Sequence, residues 1–91
     1  MTDHQILQNA INEYGKKSQL EMAQEEATEL ALAVRKYIRN KNVNTTADLF
    51  AEVADVLIMI DQLEIMIPNF SECVSAQKKF KINRLKKRLK L

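Results

Sequence analysis

Apolar residues return along this chain at intervals of three and four in four successive stretches. Ile6, Leu7, Ala10, Ile11 and Tyr14 form the first stripe. They predict a helix from about Thr2 to Tyr14, with Gly15 as its terminator. "SQLE", Ser18 to Glu21, has the Ser-x-x-Glu form of a capping box and opens a second predicted helix that runs to about Asn40. Its stripe is Leu20, Ala23, Ala27, Leu30, Ala31, Val34 and Ile38. "NKNVNTT", residues 40–46, reads as the connection, since Asn and Thr favour turn and cap positions. Thr45 and Asp48 then mark the first turn of a third helix, from about Thr46 to Ile67. Pro68 ends it by biasing the preceding residue away from helical geometry. Asn69 or Ser71 caps a fourth helix running to the C-terminus, striped by Val74, Phe80, Ile82, Leu85 and Leu89.

One Gly, one Pro and no Trp in 91 residues leave almost no strand-and-turn punctuation, so the expectation is a single all-α domain spanning 1–91. Its architecture is expected to be a four-helix bundle built on the central hairpin. A chain this short buries a modest share of its surface, and a homodimer or homotetramer is the expected way to complete the core. The densest apolar run, "VADVLIMIDQLEIMI", is broken by Asp55, Asp61 and Glu64. It is too charged to span a bilayer. Cys73 stands alone and the N-terminus has no apolar leader, which together predict a reducing, cytoplasmic home.

The net charge of +2 conceals an asymmetry. Residues 78–91 carry eight Lys and Arg and no acid, whereas residues 1–77 carry six Lys and Arg against all twelve Asp and Glu. The basic helix, about 72–91, has three readings: a solvated face, a source of attraction for an anionic substrate, or a track for a nucleic-acid backbone. Phe80 is its one ring for stacking on bases, which argues against nucleic acid.

Within this framework the acids stand out. Glu26 and Glu29 are three residues apart and share a helix face, and Glu52 and Asp55 repeat the spacing on the next helix. The midpoint between the two pairs falls near the predicted turn, so an antiparallel hairpin brings them within about one helical turn of level. Both interrupt apolar stripes instead of lying opposite them. Four carboxylates meeting between packed helices repel one another, and a hard divalent cation such as Mg²⁺ relieves that conflict. The competing reading is the common one of exposed helical glutamates.

Glu26-x-x-Glu29 followed by Glu52-x-x-Asp55, set in "EEATEL" and "EVADVLIMI", resembles the signature of the MazG-like all-α nucleoside triphosphate pyrophosphohydrolases. The "YGKKSQLEMAQEE" lead-in and the lysine-rich terminal helix resemble short phage or bacterial members. The resemblance covers about residues 5–90. It implies cleavage of a nucleoside triphosphate to the monophosphate and pyrophosphate, as in nucleotide-pool housecleaning. Glu26, Glu29, Glu52 and Asp55 would then hold Mg²⁺, with Glu26 and Glu29 at the reacting centre. Glu25, close to Glu29 on the wheel, is a candidate water-orienting base or else solvated. Ala51 departs from the family, which has an acid before Glu52, and this bears on how many ions are held. Gln19 and Lys36 share the acidic face, so Gln19 is a candidate for a base or sugar and Lys36 for a phosphate. Each is otherwise an ordinary rim residue. Gln62 follows the Glu52 face with no assigned role, while Asp61 and Glu64 point away. His4 is expected to be solvated, and Met22, Met59 and Met66 to fill core or interface. The reading from another class is a non-catalytic helical module whose basic tail binds nucleic acid or an acidic protein.

Overall fold

Helix starts in this chain are decided by which side chains can take up the free amides of a first turn. In the computed structural model, which describes all residues 1–91, four helices are present and no strand: α1 (Asp3–Tyr14), α2 (Lys16–Arg39), α3 (Val43–Met66) and α4 (Phe70–Arg88). Thr2 caps α1 reciprocally with Gln5: its hydroxyl accepts the Gln5 amide at 3.1 Å, and the Gln5 side chain accepts the Thr2 amide at 2.9 Å.

Two expected starts move. The second helix opens at Lys16, not Ser18, because Gly15 (φ 92°) turns the chain directly from α1 into α2 and serves both ends. Ser18 therefore lies inside the first turn, and its capping box is not used. The third helix opens at Val43 instead of Thr46. Asn42 is the cap, accepting the Thr45 amide at 2.9 Å while the Thr45 hydroxyl accepts the Asn42 amide at 3.1 Å. That hydroxyl also donates to the Asn40 carbonyl at 2.7 Å, tying both sides of the turn together. The other end behaves as Pro68 requires, since Ile67 is extended (φ −112°, ψ 121°). Asn69 then takes a left-handed conformation (φ 59°) to start α4, which stops at Arg88, short of the C-terminus.

A three-residue link joins α2 and α3, so they pack antiparallel along most of their length. Their shared seam follows a strict alternation of three and four. From α2 come Gln19, Ala23, Glu26, Leu30, Ala33 and Tyr37, and from α3 Leu49, Glu52, Val56, Met59, Leu63 and Met66, all buried or half-buried. Short α1 lies against both helices and buries Ile11. Met59 is buried and Met66 half-buried, as core filler should be, whereas Met22 is exposed. Beyond Phe70, α4 touches α3 alone and buries nothing. No helix is long and apolar enough to cross a membrane.

A compact chain of this length has a radius of gyration of about 12 Å; here it is 16.2 Å. The fold is an open hairpin with one helix laid across it and one standing off.

Asn42→Ala is expected to lower unfolding stability by about 1 kcal/mol in urea titration, because it orphans the Thr45 amide at the turn that sets the hairpin's register. Ser18→Ala is expected to lose nothing, since Ser18 sits within a helix and caps no terminus.

Candidate metal centre

The α2–α3 seam is apolar on both sides of its middle and acidic at the middle. Glu26 falls between Ala23 and Leu30, and Glu52 between Leu49 and Val56, so each occupies a position whose neighbours on the stripe are apolar. Glu26 and Glu52 are half-buried, and Asp55, one turn further along α3, lies exposed at the mouth. One oxygen from each of the three carboxylates lies within 4.8 Å of the other two. Oxygen ligands of a single Mg²⁺ stand about 2.1 Å from the ion and so up to about 4.2 Å apart. Small side-chain rotations therefore suffice to close the group on one ion.

The electrostatics of this group are unrelieved within the chain. The Glu52 Oε2 atom is shielded from solvent and has no hydrogen-bond partner. The Glu26 carboxyl is pushed above its ordinary 4.5, first by loss of hydration and then by the charges of Asp55 and Glu52. The protonated form is further favoured by its hydrogen bond to Asp55, and the Glu29 charge adds to the shift. An orphaned carboxylate oxygen beside two further acids is a donor set of hard oxygens with surplus negative charge. That set fits a divalent cation.

Glu29 does not join the three. Its side chain borders a small cleft of about 80 Å³ shared with Leu32, Ala33, Lys36, Asp48 and Glu52. Lys36 is thus beside the acids as its spacing suggested, and it is the one cation lining that cleft. Asp48, which the sequence marks only as a first-turn acid, also lines this cleft, four residues before Glu52 and on the same helix face. Glu25 faces outward, in a shallow hollow with Gln24, Glu26, Thr28 and Glu29.

Gln19 is not on the rim. It is 3% exposed, and Gln62 is 2% exposed with its Oε1 unpartnered, so both are enclosed. Both lie toward the α1 end of the hairpin, about two helical turns from the acids. Asp61 and Glu64 do point elsewhere, into a hollow against Asp3, His4, Leu7 and Gln8 of α1. There Glu64 accepts the Ser71 hydroxyl at 2.6 Å. His4 borders this hollow while remaining exposed.

Comparison with models of known protein families, with curated proteins and with solved structures finds no match to this chain.

The raised Glu26 pKa fixes the sign of a pH effect. A carboxyl whose folded pKa exceeds its unfolded value stabilises the fold below about pH 4.5. That contribution is lost as pH rises through the folded value. Thermal melts of the metal-free protein should therefore fall in midpoint from pH 4.5 to 7, and Glu26→Gln should flatten the slope. Mg²⁺ at pH 7 should raise the wild-type midpoint, and Asp55→Asn should remove most of that rise.

Proposed function

We propose that this chain is a Mg²⁺-dependent nucleoside triphosphate pyrophosphohydrolase, breaking the α–β anhydride to release a nucleoside monophosphate and pyrophosphate, and that it serves nucleotide-pool housecleaning. The observation that carries the reading is the partnerless Glu52 Oε2 inside a group of three carboxylates at the centre of a helical seam. Such a group is costly to keep unless its charge is used. The reaction class comes from the resemblance of Glu26-x-x-Glu29 and Glu52-x-x-Asp55 to the MazG-like motif.

In this reading Glu26, Glu52 and Asp55 would hold the ion, with Glu29 in the adjoining cleft. When bound, Mg²⁺ supplies charge neutralisation for phosphate oxygens and lowers the pKa of a bound water. The chain's own residues do the rest. Lys36, in the cleft with Glu29 and Glu52, pairs with a phosphate oxygen and orients the triphosphate. Glu29 accepts a proton from the attacking water, and Glu25, more exposed, is the alternate acceptor.

A second reading rests on α4 and the residues that follow it, which are exposed beyond Phe70 and carry eight of the fourteen cations. In that reading the chain is a non-catalytic module that binds a polyanion. The Phe80 ring, its one stacking surface, is faced by the Arg84 guanidinium at 5.9 Å. That contact leaves α4 a charged face and weakens base recognition.

Ion-exchange analysis of products separates the readings. Incubation with canonical and modified nucleoside triphosphates should give monophosphate and pyrophosphate only with Mg²⁺. Glu29→Gln should slow turnover by about 10²- to 10⁴-fold, the loss expected when a general base is removed. Glu52→Gln and Asp55→Asn should cost on the order of 10²-fold or more. Diphosphate with inorganic phosphate would exclude the reaction class. No turnover by folded protein, together with polyanion binding that weakens steeply with salt, would favour the module.

A further inference from the structure

Gln62 and Gln19 are the two most deeply buried residues of the chain, ahead of Ile11, Ala33 and Met59. Long polar side chains are ordinarily left at the surface. The Gln62 Oε1 is moreover without a hydrogen-bond partner. A buried carbonyl oxygen with no donor lowers stability, and a leucine would fill much the same space without that loss. The closed fold does not account for this amide.

Position ties the two glutamines to the acids. Glu26 and Asp55 are hydrogen-bonded across the seam. Gln19 lies seven residues before Glu26, and Gln62 seven residues after Asp55. Seven residues return a helix to within about 20° of the same face, so an antiparallel pair repeats that cross-seam partnership about 10 Å further along. Asp55 is nonetheless exposed and Gln62 enclosed. What differs is α1, which lies against both hairpin helices and borders Asp61, Glu64 and Ile65 on either side of Gln62.

This cover is lightly held. α1 buries Ile11 alone. Its side-chain hydrogen bonds stay within residues 1–12, and an open hollow lies between it and α3. Gly15 is the whole of its link to α2 and stands at φ 92°, ψ 153°, a region that glycine alone enters without strain. No atom lies within 4 Å of where a β-carbon would sit, so no neighbour blocks rotation there.

We propose that α1 is a flap hinged at Gly15, and that lifting it presents the Gln62 and Gln19 amides to the nucleobase of a nucleotide whose phosphates lie at the acids. The ligand rests on the pyrophosphohydrolase reading; the hinge does not. A primary amide offers an acceptor beside a donor, and a base edge offers the same pair in reverse. A ring N–H or amino group donating to Oε1 supplies the bond that the closed fold lacks. The ligand then binds the open form better than the closed one, which is the condition for moving such an equilibrium. The ribose of the nucleotide bridges the distance of about 10 Å between acids and amides.

Two measurements on the intact chain test this: hydrogen exchange read by mass spectrometry, and calorimetric titration in Mg²⁺ with nucleoside monophosphates or with ribose 5-phosphate. In the wild type, α1 amides should exchange at least about 10-fold faster than those around Ala33 and Met59. Gln62→Leu should slow α1 exchange by about 10-fold, because the closed form no longer holds an orphaned oxygen. Gly15→Ala, strained at this φ, should speed it by about the same factor. At least one nucleoside monophosphate should bind about 10-fold tighter than ribose 5-phosphate. Gln62→Leu should abolish that difference and leave the ribose 5-phosphate affinity unchanged. α1 amides as slow as those of the seam overturn the proposal. Equal binding of every monophosphate and ribose 5-phosphate overturns it and spares the pyrophosphohydrolase reading. Binding of neither, with Mg²⁺ still raising the melting midpoint, overturns both.

Discussion

Glu26 and Glu52 face each other across a helical seam at positions where the same stripes elsewhere carry Leu30, Ala33, Val56 and Met59, and their repulsion is the constraint under which the rest of the hairpin is arranged. Half-buried carboxylates in contact must give up charge or find a cation. Without a cation, Glu26 holds its proton more tightly and bonds to Asp55, while the Glu52 Oε2 goes without a partner. The apolar lengths of seam on either side supply the binding that keeps three acids together. Two helices of 24 residues give this hairpin enough seam for that task.

Much of this architecture is legible in the residues, and the failures have physical causes. The 3.6-residue periodicity gives all four helices, and the spacing about the turn brings Glu26, Glu52 and Asp55 together as expected. Helix starts are less secure because several residues compete to cap. Ser18 has the side chains for a capping box, but Gly15 reverses the chain three residues earlier. Asn42 displaces the Thr45–Asp48 start because Thr45 serves Asn42 as its reciprocal partner. Glu29 and Asp48 show a different limit. Helical spacing places a residue on a face, but it does not say whether a side chain reaches inward or along the cleft. For the same reason Gln19 reads as a rim residue and lies buried, since its enclosure depends on α1 and the end of α3.

The hairpin has two unlike faces, one acidic and one apolar. Residues three positions past the seam acids open to solvent with charge, and residues one position past the seam are apolar and uncovered. A substitution on one face is therefore remote from the other although the positions are close in sequence, as those of Val53 and Asp55 are. α4 belongs to neither face. It leaves through the left-handed Asn69 after Pro68 and carries half of the chain's Lys and Arg away from the acids.

The three-residue link between α2 and α3 also bears on how the molecule forms. With Asn42 and Thr45 closing the turn, contacts grow outward from it between residues progressively further apart in the chain. Little loop entropy is spent before each new contact is made. Topologies of this kind have low contact order and fold in microseconds to milliseconds. The acids meet about halfway along this zipper, after the turn-proximal stretch around Ala33 and Leu49 has closed. The hairpin thus commits to its register through apolar contacts before it has to confront its own charge.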